Sequence, residues 1–178
     1  TGVQTCALPI CGLPTIKRTE TFKDIKLDIR KGEYKNVFNK EMETPMATVA
    51  VIASGDCDYT LKNELLMGCL SRTLDMVYLE EVREKEGGTY GVQTVGQLSR
   101  YPKDEAILQV VFNTDPAKRE KLMEIIMGEL QRVAKEGPKE EHLAKVKEGI
   151  LKQYAVSVKE NSYWLTILNE YFWYNEDM

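Results

Sequence analysis

The sequence predicts an α+β fold: a mostly antiparallel or mixed β-sheet with helices packed on one face. Three observations point to it. Short runs that alternate, or that are rich in β-branched residues, follow one another closely through the first half of the chain. One long amphipathic pattern, from about Leu61 to Lys85, interrupts them. Three further helical patterns then come in succession with no strand between them. Strands joined as hairpins, with helices gathered to one side, make a two-layer sandwich.

Residues 1–10 carry no charge and read as the translation of a sequencing-library adapter, so fold reasoning starts at about Cys11. Residues 11–23, mixed polar with Pro14, read as a linker. Residues 24–178 read as a single domain, cut short at its C-terminal end. Ile25, Leu27 and Ile29 alternate with Lys26, Asp28 and Arg30 and predict a half-buried strand. Lys31-Gly32 predicts a turn, and Tyr34 to Lys40 a second short strand. The run from Ala47 to Ala53 predicts a strand covered on both faces.

Thr60 is the expected N-cap of the long helix, since its hydroxyl can accept from a free first-turn amide. Leu61, Leu65, Cys69, Thr73 and Val77 form one stripe, and Leu66, Leu70, Leu74, Tyr78 and Val82 the adjacent one. Cys69 is therefore expected in the core. Tyr90 to Leu98 predicts a strand interrupted by glycines, and Tyr101-Pro102-Lys103-Asp104 a turn. Ala106 to Phe112, apolar on both faces, predicts the central strand. Asp115-Pro116 starts a helix with a carboxylate cap and a proline at its first position. That helix runs to about Lys135, and Gly137 closes it. Pro138 opens the next, with Glu140 and Glu141 in its first turn, where the helix dipole favours anions. It extends to about Val158. Residues 161–174 predict an aromatic-rich amphipathic helix whose rings face the core.

Composition narrows the function. The chain has 178 residues, 43% hydrophobic and 29% charged, with a net charge of -4. That suits one globular domain. Lysines and arginines are scattered among carboxylates, which excludes a basic footprint for nucleic acid. No apolar run is long enough to insert across a membrane. Four cysteines, Cys6, Cys11, Cys57 and Cys69, do not make a disulfide framework, and Cys57 and Cys69 read as free thiols. The single His142 rules out a multi-histidine metal site in this chain and reads as a solvated residue of a first helical turn. Glu80, Glu81, Glu84 and Glu86 read as a solvated helix face rather than a cation site.

The stretch from Glu80 to Gly91 holds the candidate site. A helix ends at Arg83, the chain turns on Gly87 and Gly88, and a strand opens with Tyr90. Each residue has a purely structural reading. The arginine answers the helix dipole, the glycines supply positive φ, and the tyrosine fits a pleated face. A functional reading stands beside it. Guanidinium and phenol are both hydrogen-bond donors, and two donors converging on one point suit a carbonyl oxygen that gains negative charge.

The run Val82-Arg83-Glu84-Lys85-Glu86-Gly87-Gly88-Thr89-Tyr90-Gly91-Val92 resembles the helix-turn-strand corner of the C-terminal, non-zinc domains of the pitrilysin/insulinase family of zinc metallopeptidases. The strand around Ala47-Thr48-Val49, the Asn113-Thr114-Asp115-Pro116 start and the Glu136-Gly137-Pro138 junction agree with it. The resemblance covers about residues 20–178. It implies a pitrilysin-type α/β sandwich that closes a peptide chamber, with Arg83 and Tyr90 binding substrate backbone carbonyls and stabilising the transition state. Gly87 and Gly88 are the turn that supports them. It also implies that the catalytic zinc belongs to an N-terminal domain with an inverted His-x-x-Glu-His helix, in the same chain or in a partner subunit. No such motif occurs here, so this chain is expected to hold no metal and to hydrolyse nothing alone. A structural or assembly subunit with the same fold and no peptidase role is the alternative.

Overall fold

The computed structural model describes residues 21, 23, 26, 29–84, 87 and 89–174, with the side chains of Glu84 and Tyr90 left outside the description. The chain divides into Thr1–Glu33 and Tyr34–Met178. In the first unit the described residues form no helix or strand. Most of the predicted Ile25–Ile29 strand lies outside the described residues.

Among the described residues of the second unit, three strands form one antiparallel sheet. They are β1 (Ala47–Asp56), β2 (Thr89–Ser99) and β3 (Glu105–Thr114), in the order β1-β3-β2. The strand predicted to be central is central. Its register runs Ala47↔Thr114 to Asp56↔Glu105 on one side and Val92↔Phe112 to Ser99↔Glu105 on the other. Between Thr89 and Val92 the β2 register shifts by a bulge.

Among the described residues of this unit there are also four α-helices: α1 (Leu61–Tyr78), α2 (Arg119–Glu136), α3 (Glu140–Ser157) and α4 (Asn161–Tyr174). Their ends follow the local chemistry read from the sequence. The Thr60 hydroxyl accepts from the Asn63 amide at 3.1 Å. Asp115 accepts from the Ala117 amide at 2.8 Å at the head of a short 3₁₀ turn, Pro116–Lys118, that leads into α2. Gly137, at φ 81°, stops α2 and gives its amide to the Val133 carbonyl.

The core joins α1, β3 and α2. Leu74, Val77, Tyr78 and Val82 pack with Val110 and Phe112 of the sheet and with Leu122, Ile126 and Val133 of α2. Tyr78 is fully buried, its hydroxyl 3.4 Å from the Ile126 carbonyl, and burial drives its phenol pKa up. Gly96 lets α1 approach β2 closely, because a Cβ there would stand 2.6 Å from the Met67 sulfur. The Asp75 carboxylate accepts from the Thr94 amide at 2.7 Å and ties the same two elements.

Several sequence expectations change. Tyr34 to Lys40 is not a strand; its residues are exposed and pair with no strand among the described residues. Strand-forming side chains cannot hold an extended backbone without a ladder to join. Strand β1 is not covered on both faces. It is an edge strand with Val49 and Val51 half-buried and Ala50 and Ile52 exposed, because the buried core lies against one face of the sheet only. The apolar stripes of α1 are fully buried only from Thr73 onward, with Leu70 half-buried against the core. Leu61, Leu65 and Leu66 are exposed and Cys69 is half-buried. Helix α4 buries none of its residues, so its rings are not core. Tyr174 stacks on Tyr101 and, with Tyr59, flanks the Arg100 guanidinium, while Trp164 donates to the Val158 carbonyl at 2.8 Å. Phe172 and Trp173 stay in solvent.

Candidate functional site

At the end of α1 the helix does not stop. It widens into a π segment over Leu79–Glu84. A π turn closes i→i+5 hydrogen bonds and occurs mostly as single turns set into α-helices, often at functional sites. Within it Val82 is fully buried and Arg83 is exposed. The Arg83 carbonyl accepts from the Gly87 amide at 3.1 Å, and Gly87 has φ 55°, a left-handed backbone that glycine takes without strain. The chain then enters β2 at Thr89, directly at the bulge.

That bulge sets an extra residue between Thr89 and Val92, opposite Asn113 of β3. Bulges re-aim side chains. The Thr89 hydroxyl accepts from the Gly91 amide at 3.2 Å and lies within hydrogen-bonding reach of the Asn113 carbonyl. The Asn113 side chain in turn accepts from the Thr48 hydroxyl at 2.7 Å. The backbone around Tyr90 is therefore braced across all three strands. Of the predicted site residues, Arg83 lies on the π segment before the corner, Gly87 takes the positive φ within it, and Tyr90 lies on the bulged opening of β2. Gly88 and the Tyr90 side chain lie outside the described residues.

A second cluster stands behind the corner, and the sequence reading missed it. Glu80, on the π segment, receives the His142 Nε2 group at 2.8 Å on one oxygen and the Lys139 ammonium at 3.3 Å on the other. The hydrogen bond from His142, then that from Lys139, holds the Glu80 carboxyl below its usual range. His142 is not solvated as expected; it is fully buried at the start of α3. Lys139 stands at the same helix end, one turn away, where its side chain can reach the other Glu80 oxygen. No local pattern could have paired Glu80 with His142, because 62 positions separate them.

Glu80, Glu141 and His142 put ligand-type atoms within 4.8 Å of one another. They do not fit a metal ion. An ion on Nε2 would force the ring proton onto Nδ1, and that atom is buried with no acceptor. Lys139 already supplies the positive charge that Glu80 faces. Zinc of the kind implied for a peptidase has no suitable donor set among the described residues. No helix of the described residues is long and apolar enough to cross a membrane.

Residues 14–150 match the family described as the peptidase M16 inactive domain. No curated protein matches the chain. Among solved structures, the periplasmic protease PqqL from Escherichia coli is similar in fold, with a TM-score of 0.65 and 17% identity. That similarity covers 76% of this chain and 15% of the PqqL chain, so the present chain spans a small part of its structural relative's length. The match extends through the helix-turn-strand corner and both flanking strands, and on it the chain belongs to the M16 peptidases as a non-catalytic, C-terminal pitrilysin-type domain.

Proposed function

We propose that this domain closes the peptide chamber of a zinc endopeptidase and binds substrate backbone carbonyls through Arg83 and Tyr90. The observation that carries the reading is the corner itself. Arg83 leaves the π segment into solvent four residues before a left-handed Gly87, and the strand that follows opens on a bulge with Tyr90 in it. A guanidinium cannot lose its proton at working pH, and a phenol donates through its hydroxyl. Both donors strengthen as a carbonyl oxygen becomes an oxyanion, so they favour the transition state over the bound peptide. The zinc and the residues that activate water belong to a separate domain, in the same chain or in a partner subunit. No step of that chemistry runs through this domain's own side chains. The substrate is a peptide.

The test is made in the complete peptidase. Arg83→Ala and Tyr90→Phe are each expected to lower kcat/KM by a factor on the order of 10², with zinc content unchanged. Full peptide turnover in both variants would overturn the assignment.

A further inference from the structure

Two anchors hold the π segment from different sides. Val82 is locked in the core formed with α2 and β3, at 0% exposure. Glu80 is bound to α3 through His142 and Lys139. Arg83 directly follows Val82 and is exposed. Fixing a short helical segment at two points around its circumference fixes its rotation about its own axis. That rotation sets the direction in which Arg83 leaves it.

The buried imidazole needs an explanation that packing does not supply. His142 has 0% exposure and its Nδ1 has no hydrogen-bond partner. A polar ring buried with one nitrogen unmatched is a poorer core residue than a leucine of similar size. What distinguishes His142 is the bond that it does make. A carboxylate only accepts, so the ring hydrogen sits on Nε2 and is directed at Glu80, 2.8 Å away. Lys139 takes the second oxygen, at 3.3 Å. A π turn is rare and interrupts the regular i→i+4 ladder, so an outside restraint there has more to hold.

We infer that His142 is a positioning residue for Arg83: acting through Glu80, it clamps the π segment from α3 and sets the direction of the guanidinium. The inference rests on the proposed role of Arg83 toward the substrate carbonyl. His142 itself touches no substrate.

The experiment uses the complete protein and two readouts. Amide hydrogen exchange over Leu79–Glu84 is followed without substrate in His142→Leu, His142→Gln and Glu80→Ala. Glu80→Ala breaks the same bond from the part-exposed side, so it serves where His142→Leu fails to fold. Removing a hydrogen bond to a charged group is expected to quicken exchange in the segment by roughly 10- to 100-fold, while α2 amides from Leu122 to Val133 stay at the wild-type rate. His142→Gln, whose amide can still donate to Glu80, is expected to lie nearer wild type than His142→Leu. In parallel, Glu80→Ala lowers kcat/KM, and in an Arg83→Ala background it lowers it no further. Unchanged exchange in Glu80→Ala overturns the clamp even where Arg83→Ala is inactive. Losses that multiply in the double variant overturn the route through Arg83. Full turnover in Arg83→Ala alone overturns the carbonyl-binding reading, and with it the positioning role.

Discussion

The Asp75 carboxylate holds the Thr94 backbone amide at 2.7 Å, joining the long helix to the strand on the far side of the glycine corner. The bond comes with a cost. Burial pushes the Asp75 carboxyl above the ordinary aspartate range, partly offset by the hydrogen bond from the Thr94 amide. A carboxyl whose folded pKa is raised contributes stability that is present below the unfolded value and lost as pH rises through the folded one. Asp75→Asn keeps the acceptor and removes the charge. It is expected to melt at or above the wild-type temperature at pH 7, with the difference shrinking as pH falls toward 4. Asp75→Ala, which loses the acceptor, is expected to melt lower at every pH. A series of thermal melts from pH 4 to 8 checks both; a large loss in Asp75→Asn at pH 7 counts against this account.

Ile126 is the point where α2 meets Tyr78, and both are fully buried. Ile126→Ala is expected to cost about 2–5 kcal/mol through the cavity it leaves. Tyr78→Phe removes only the hydroxyl contact to the Ile126 carbonyl and is expected to cost about 1 kcal/mol. Urea titration of the two variants beside wild type measures both. Equal losses would mean that the hydroxyl, and not the packing, dominates there.

Helix α4 stands outside the core, and the chain's two tryptophans report on it. Trp173 is 79% exposed and Trp164 is 50% exposed. Acrylamide is expected to quench the native protein nearly as well as the urea-unfolded chain. Phe172→Ser and Trp173→Ser are expected to change stability by no more than about 0.5 kcal/mol, as surface substitutions do. Strong protection of tryptophan from the quencher would mean that this face is covered in solution.

The 178-residue chain alone is expected to cleave no peptide, with or without added zinc. It has one histidine, and that ring is committed to Glu80 with its other nitrogen buried. Incubation of pure protein with a quenched fluorescent peptide, with zinc and with chelator, is the check. Cleavage that the chelator abolishes would overturn the separation of this domain from the catalytic one.

Much of the architecture was legible in the sequence, because it depends on signals a few residues long. Thr60, Asp115-Pro116 and Gly137 set helix ends through hydrogen bonds to their own neighbours. The double-sided apolar run from Ala106 to Phe112 placed the central strand, and the helix-glycine-tyrosine order placed the corner. The tertiary structure alone decided what depends on distant partners. Whether Tyr34 to Lys40 becomes a strand depends on a neighbour to pair with, and whether the rings of α4 are core depends on what lies over them. His142 shows the difference most clearly. On its own turn it is a polar residue beside two glutamates, and its burial and its bond to Glu80 exist only because α3 folds back against the π segment. Periodicity and capping are local and can be read along the chain. The burial of a histidine against a distant carboxylate is a property of two surfaces meeting, and no stretch of sequence contains both.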